Sequence, residues 1–237
     1  MFFIDIVLLA AVILLIGILY PVTGYRQFKK RSIVRGLKEK SKWYITSVIS
    51  SWIPTLVILT TVILNGHSLE ELGFTLNLSE ERGIIFYIAI GLSAIYLTYN
   101  IYTILLLRNN KKIREVHSRD IPEEYRFILP VTKEEKLLWR LLAITAGITE
   151  EIIYRGYLFF ALFLIFPNIS PFIVIAISSI LFSVGHLYQG GEVWKPAAAG
   201  LFLALVFHFT GSIYIVMILH IIQDLVAGEL DPENVEK

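Results

Sequence analysis

The stretch Thr149-Glu150-Glu151-Ile152-Ile153-Tyr154-Arg155-Gly156 sets two carboxylates and a guanidinium inside an apolar run that extends from Leu137 to Phe166. A charged side chain at the centre of a membrane helix costs roughly 2.5–3.5 kcal/mol on insertion scales, and such residues face a protein interior or a wet cavity. Three together need one another or partners from elsewhere. Candidate partners lie downstream: His186 after Phe182, then His220 and Asp224, each associated with another apolar segment. Residues four apart share a helix face. Glu151 and Arg155 have that spacing in the favourable order for an ion pair, with the carboxylate first. Glu150 points about 100° away from Glu151, so one carboxylate can be held by Arg155 while the other faces a cavity. His220 and Asp224 can present an imidazole and a carboxyl to one point, and Phe182 sets an aromatic ring beneath His186.

The surrounding composition fits this reading. Of 237 residues, 56% are hydrophobic, and the mean hydropathy is +0.68. Soluble domains stay near 45–50% apolar, so the sequence predicts an all-α, polytopic transmembrane bundle of about seven to eight helices, and the charged residues above are expected to converge on an intramembrane catalytic cavity inside it. The net charge of +1 identifies no partner. The absence of cysteine excludes disulfides, cysteine–zinc sites and a thiol nucleophile.

Outward from the central stretch, charge distribution predicts topology. Phe2 to Tyr20 lacks a basic leader, carries Asp5 and shows no clear small-residue cleavage site, so it is read as a retained first helix. Arg26, Lys29, Lys30, Arg31, Arg35, Lys38, Lys40 and Lys42 form a basic loop, and a second basic stretch runs from Arg108 to Lys136. Lys and Arg accumulate in short cytoplasmic loops, which puts both loops inside and the first terminus outside. The segment Asn65–Gly83, with Glu70, Glu71, Glu80 and Glu81 against Arg82, is then external. Pro54 falls within the second span, and Tyr96, Tyr99 and Tyr102 are expected to mark one packed face of the third. Pro122 and Pro130 divide the second basic stretch, leaving room for a short amphipathic helix. Trp43, Trp139 and Trp194 are read as anchors at the inner interface.

The run from Leu137 to Phe166 would be ~45 Å of continuous helix. It is either tilted or broken near Gly147 or Gly156, and a break would reverse everything after it. Pro167 to Pro171 reads as a turn, and Thr210-Gly211-Ser212 divides the last apolar block. The organisation expected is 1–136 as N-terminal helices with basic loops, 137–228 as catalytic core, and 229–237 as polar tail.

The ordered set Glu150-Glu151-x-x-x-Arg155, Phe182-x-x-x-His186 and His220-x-x-x-Asp224 resembles the motifs of the CAAX protease and bacteriocin-processing (CPBP, or Abi) family, which includes the Ras-converting CAAX endopeptidases. The resemblance covers roughly Leu137 to Ala227. It implies an intramembrane, metal-independent glutamic-type endopeptidase in which Glu150 and His186 activate a water. His220 and Asp224 would stabilise the oxyanion, with Glu151, Arg155 and Phe182 in support. The Ras-converting relatives typically carry Asn where this chain has Asp224, although Asp also occurs in bacterial-type relatives. An ionised Asp224 would orient His220 rather than donate to an oxyanion. The partners implied are the bilayer and a peptide or membrane-tethered protein, lipidated or not, with no nucleic acid.

Three other readings stand beside this one. Glu and His can ligate zinc, but the HExxH pattern of a helix-borne metalloprotease is missing, so no cofactor is expected and zinc is disfavoured. A non-proteolytic immunity or scaffold protein, or an ion-coupled transporter, could also use buried charges. His208 belongs to none of the three motifs and is read as packing or interfacial, and His67 and His117 as loop residues without a functional case. Asp5 and Asn100 are expected to find helix partners.

Overall fold

The computed structural model describes residues 2–31, 37–76, 83–119, 121 and 123–231. Arg35, Glu80, Glu81, Arg82, Pro122 and positions 232–237 of the polar tail lie outside the described residues. Eight helices of nine or more residues occur among the described residues. Helix α1 covers 2–31, with a π-turn at Leu15–Leu19; α2 is Leu37–Leu64, α3 Ile84–Asn109 and α4 the short basic Lys111–Arg119. Helix α5 covers 133–165, with a second π-turn at Ile152–Tyr157. Then come α6 (Pro171–Gly185), α7 (Trp194–Thr210) and α8 (Ile213–Ala227). The candidate spans Phe3–Arg26, Lys40–Leu64, Ile84–Asn109 and Leu187–Thr210 are long and apolar enough to cross a membrane, whereas α6 and α8 are shorter.

Helix α5 is the axis of the bundle. It starts at a capping box: Thr132 Oγ1 accepts from the Glu135 N–H at 3.1 Å, and Glu135 Oε2 accepts from the N–H groups of Val131 and Thr132 at 2.7 and 3.1 Å. These bonds satisfy donors that the first helical turn cannot pair internally. From 151 to 162 every residue is buried, as befits a helix apolar all round. No break occurs at Gly147 or Gly156; the π-turn absorbs an extra residue without ending the helix. A turn at 166–170 separates α5 from α6, and one at 211–212 separates α7 from α8, as the Pro and Gly signals predict.

Hydrogen bonds define two ends. At one, Asn65 Nδ2 donates to Asp5 at 2.9 Å, Ile213 N–H donates to the Gly73 carbonyl at 2.9 Å, and His67 packs on Phe160. At the other, Tyr44, Ile121, Leu129 and Trp139 form a cluster reached by Ala227 and Leu230, and Arg108 pairs with Glu229 at 2.6 Å. Lys40 of the first basic stretch donates to the Leu129 carbonyl at 2.9 Å at this second end.

Two sequence expectations need correction. Tyr96, Tyr99 and Tyr102 do not mark one packed face: Tyr96 bonds Gln223 of α8, whereas Tyr99 and Tyr102 are 65% and 60% exposed. Steps of three residues rotate each successive side chain by ~60° around a 3.6-residue helix, and the third span carries the later two outward. Trp139 is no interface anchor either. It is buried, and its indole N–H donates to the Asp224 carbonyl at 2.9 Å. Trp43 is half-buried, and Trp194 alone of the three is exposed. Asp5 pairs as expected, and Asn100 donates to Tyr96 O of its own helix at 2.8 Å.

Candidate functional site

The site is assembled on α5 where its regular helix passes into the π-turn. Glu151 and Arg155 are both fully buried, with Arg155 Nη1 donating to Glu151 Oε1 at 2.7 Å. Arg155 Nη2 donates to the Gly200 carbonyl of α7 at 2.8 Å, and its guanidinium lies 4.5 Å from the Phe182 ring centroid. Gly200 allows that arrangement, because a Cβ there would stand 2.7 Å from Phe182 Cδ1. One ion pair thus ties three helices together.

The same Glu151 oxygen accepts from His220 Nδ1 of α8 at 2.7 Å. That contact fixes the imidazole and leaves Nε2 directed toward Asp224, whose Oδ2 lies 3.6 Å away. This separation suits an ion pair but exceeds a good hydrogen bond. His186 caps the end of α6, with Nδ1 2.8 Å from the Phe182 carbonyl. A carbonyl can only accept, so Nδ1 carries the proton, and a neutral His186 presents an Nε2 lone pair. Its ring lies 4.5 Å from that of Phe182, which is also 5.8 Å from His220.

Beside this framework lies a cavity of about 380 Å³. Glu150, His186, His220 and Asp224 all line it, whereas Glu151, Arg155 and Phe182 stand behind its wall. Glu150 and Glu151 therefore do separate, one into the cavity and one into the ion pair, as their angular offset predicts. Glu150 Oε2 is buried without a hydrogen-bond partner among the described residues. A buried, unpaired acceptor is costly, and this one belongs to a residue that lines the cavity. The described residues contain no group of three or more His, Asp or Glu side chains arranged to hold a metal ion.

Residues 133–226 match the family model described as Rce1-like, type II CAAX prenyl endopeptidase. No curated protein and no solved structure matches the chain. All seven residues singled out from the sequence fall inside the Rce1-like segment, but the cavity extends beyond it. Among the lining residues outside it are Tyr20 and Gly24 of α1, Trp43, Ser47, Ser50 and Ser51 of α2, and Tyr125 and Phe127 before α5. Sequence reasoning missed these residues. Pro54 offered the one usable signal, since it frees a carbonyl on α2 that some neighbour must satisfy. His208 is half-buried beside Phe209, and His67 is engaged by Glu71 at 3.2 Å; neither lines the cavity.

Proposed function

We propose that the chain is a multi-pass, membrane-embedded endopeptidase of the CAAX type, hydrolysing a peptide bond with a water activated by Glu150 and His186. The observation that carries this reading is the single cavity shared by Glu150, His186, His220 and Asp224, with a Glu150 oxygen inside it and unpaired. In this scheme Glu150 takes a proton from water as the oxygen attacks the scissile carbonyl, and later passes that proton to the leaving amine. His186 Nε2 accepts the water's second hydrogen and aims its lone pair. A protonated His220 donates from Nδ1 to Glu151 and from Nε2 to the developing oxyanion. A preorganised donor of this kind is commonly the largest catalytic contribution. Asp224, beyond hydrogen-bond range of Nε2, holds the imidazolium by charge and leaves its proton to the substrate. Arg155 keeps Glu151 ionised and fixed, so His220 stays oriented.

The family description points to a C-terminal CAAX tail bearing a prenyl group as the first substrate to try, and the apolar exterior of α1 to α3 is suited to a membrane-tethered peptide. The reading assigns no step to a metal, and cleavage is expected to survive chelation. Comparative peptidomics of membranes carrying wild-type or Glu150→Gln protein tests it. Products that depend on Glu150 are the expected result; identical peptide profiles, with both proteins folded and equally abundant, would refute it.

A further inference from the structure

The cavity has a wall that the Rce1-like segment does not supply, and its chemistry originates in a missing donor. Pro54 lies inside α2, and proline has no N–H for the carbonyl four residues earlier. That carbonyl belongs to Ser50. The Tyr20 hydroxyl of α1 donates to it across the helix seam at 3.1 Å. Tyr20 is delivered there by the π-turn Leu15–Leu19, at whose end its own N–H bonds the Leu15 carbonyl. Both partners thus owe their positions to local departures from α-helical hydrogen bonding. Both also line the cavity that holds Glu150 and His186.

The pair consists of one rotatable donor and one carbonyl acceptor, adjacent and on the wall of the cavity. In an extended chain, a residue's N–H and C=O point to the same side, which is how facing antiparallel residues exchange two hydrogen bonds. We infer that Tyr20 and the Ser50 carbonyl form a docking point for the main chain of the substrate, separate from the catalytic residues. The hydroxyl turns to the carbonyl of a substrate residue, and Ser50 O accepts that residue's N–H. Ser51 extends the same wall; its hydroxyl donates to Ser47 O at 2.9 Å, which leaves its oxygen as a further acceptor. Main-chain recognition of this kind holds a peptide extended in front of Glu150 without choosing its side chains. The inference rests on the peptidase reading and adds where the substrate is held.

A purely structural role for Tyr20 makes the opposite prediction at Pro54. If Tyr20 only satisfies the freed carbonyl, Pro54→Ala restores a helical N–H for Ser50 and leaves turnover unaffected. If the pair docks substrate, the restored N–H competes for the acceptor and weakens binding in a helix that is, if anything, more regular. The test uses full-length protein in liposomes and an internally quenched, prenylated CAAX peptide. Tyr20→Phe and Pro54→Ala should each raise KM about 3- to 10-fold, the worth of one neutral hydrogen bond, with kcat within about twofold. Binding of the same peptide to Glu150→Gln protein, followed by fluorescence anisotropy, should weaken by the same factor when either change is added. Wild-type cleavage with KM unmoved by Pro54→Ala overturns the docking point alone. A peptide that wild-type protein neither binds nor cuts counts against both the docking point and the CAAX-type reading.

Discussion

The helices before residue 120 and the helix that begins at 133 bury different things. In the apolar windows of α1, α2 and α3, 22%, 17% and 17% of residues are buried inside the bundle, whereas 151–162 of α5 is buried throughout. The first group presents Ile53, Ile95 and Tyr99 outward, each at least 60% exposed. The second encloses a guanidinium and a carboxylate at zero exposure. Apolar surface on the outer helices is therefore matched to the surroundings, and polar atoms on the inner helix are matched to one another. Where the two regions meet, at Tyr20, Ser50, Glu150 and His186, the cavity forms.

Substitutions can break that contrast. The largest effect is expected at Arg155→Ala, which leaves Glu151 charged and buried; removal of one member of a buried pair costs about 3–5 kcal/mol. Ile53→Ala, on the outward face of α2, should change stability by less than about 0.5 kcal/mol. Thermal unfolding of both in one detergent compares them, and equal losses would erase the distinction between the regions. Gly147→Val comes next. A Cβ at Gly147 would lie 2.5 Å from Ile221 Cγ1 and 2.9 Å from the Ile221 backbone nitrogen, which no rotamer change relieves. Overpacking of this kind costs about 1–3 kcal/mol, read in the same unfolding experiment. Trp139→Phe keeps the buried ring but removes the N–H that bonds Asp224 O, for a loss of about 1 kcal/mol.

The smallest effect concerns the loop at the Asp5 end, where Glu71 accepts from the Ser68 N–H at 2.7 Å and contacts His67. Chiefly through the Ser68 bond, its carboxyl is held below the usual value of 4.5. A lowered folded value means that this cap stabilises the loop above the unfolded value, and the contribution is lost as pH falls through the folded one. Hydrogen-exchange protection of Leu69 to Gly73, corrected for the intrinsic exchange rate at each pH, should therefore fall with acidification, and Glu71→Gln should remove that part of the acid dependence.

Much of this could be read from the chain because membrane burial makes charge conspicuous. Three charged groups in one apolar run, with His186, His220 and Asp224 on later runs, point to a shared interior, and spacing alone assigns Glu151 to Arg155 and Glu150 to a different face. The sequence showed less where the deciding atoms belong to the backbone. The π-turn at Ile152–Tyr157 follows no residue pattern, and the Gly200 carbonyl that receives Arg155 carries no side-chain signature. Interface preference misplaced Trp139 because the Asp224 carbonyl offered its indole a partner inside the bundle. Tyr20 escaped notice because its acceptor is a backbone carbonyl whose helical donor is removed by Pro54, thirty-four positions later in the chain.

The central claim is that side chains from separate helices act on one reacting centre. Groups that act as a unit are strongly non-additive when removed. With the purified protein in liposomes and a cleaved peptide, kcat/KM should fall about 10²- to 10⁴-fold for Glu150→Gln and for His186→Ala, and the double variant should be hardly slower than either single one. Losses that multiply, or a single variant that keeps wild-type turnover, would contradict the account.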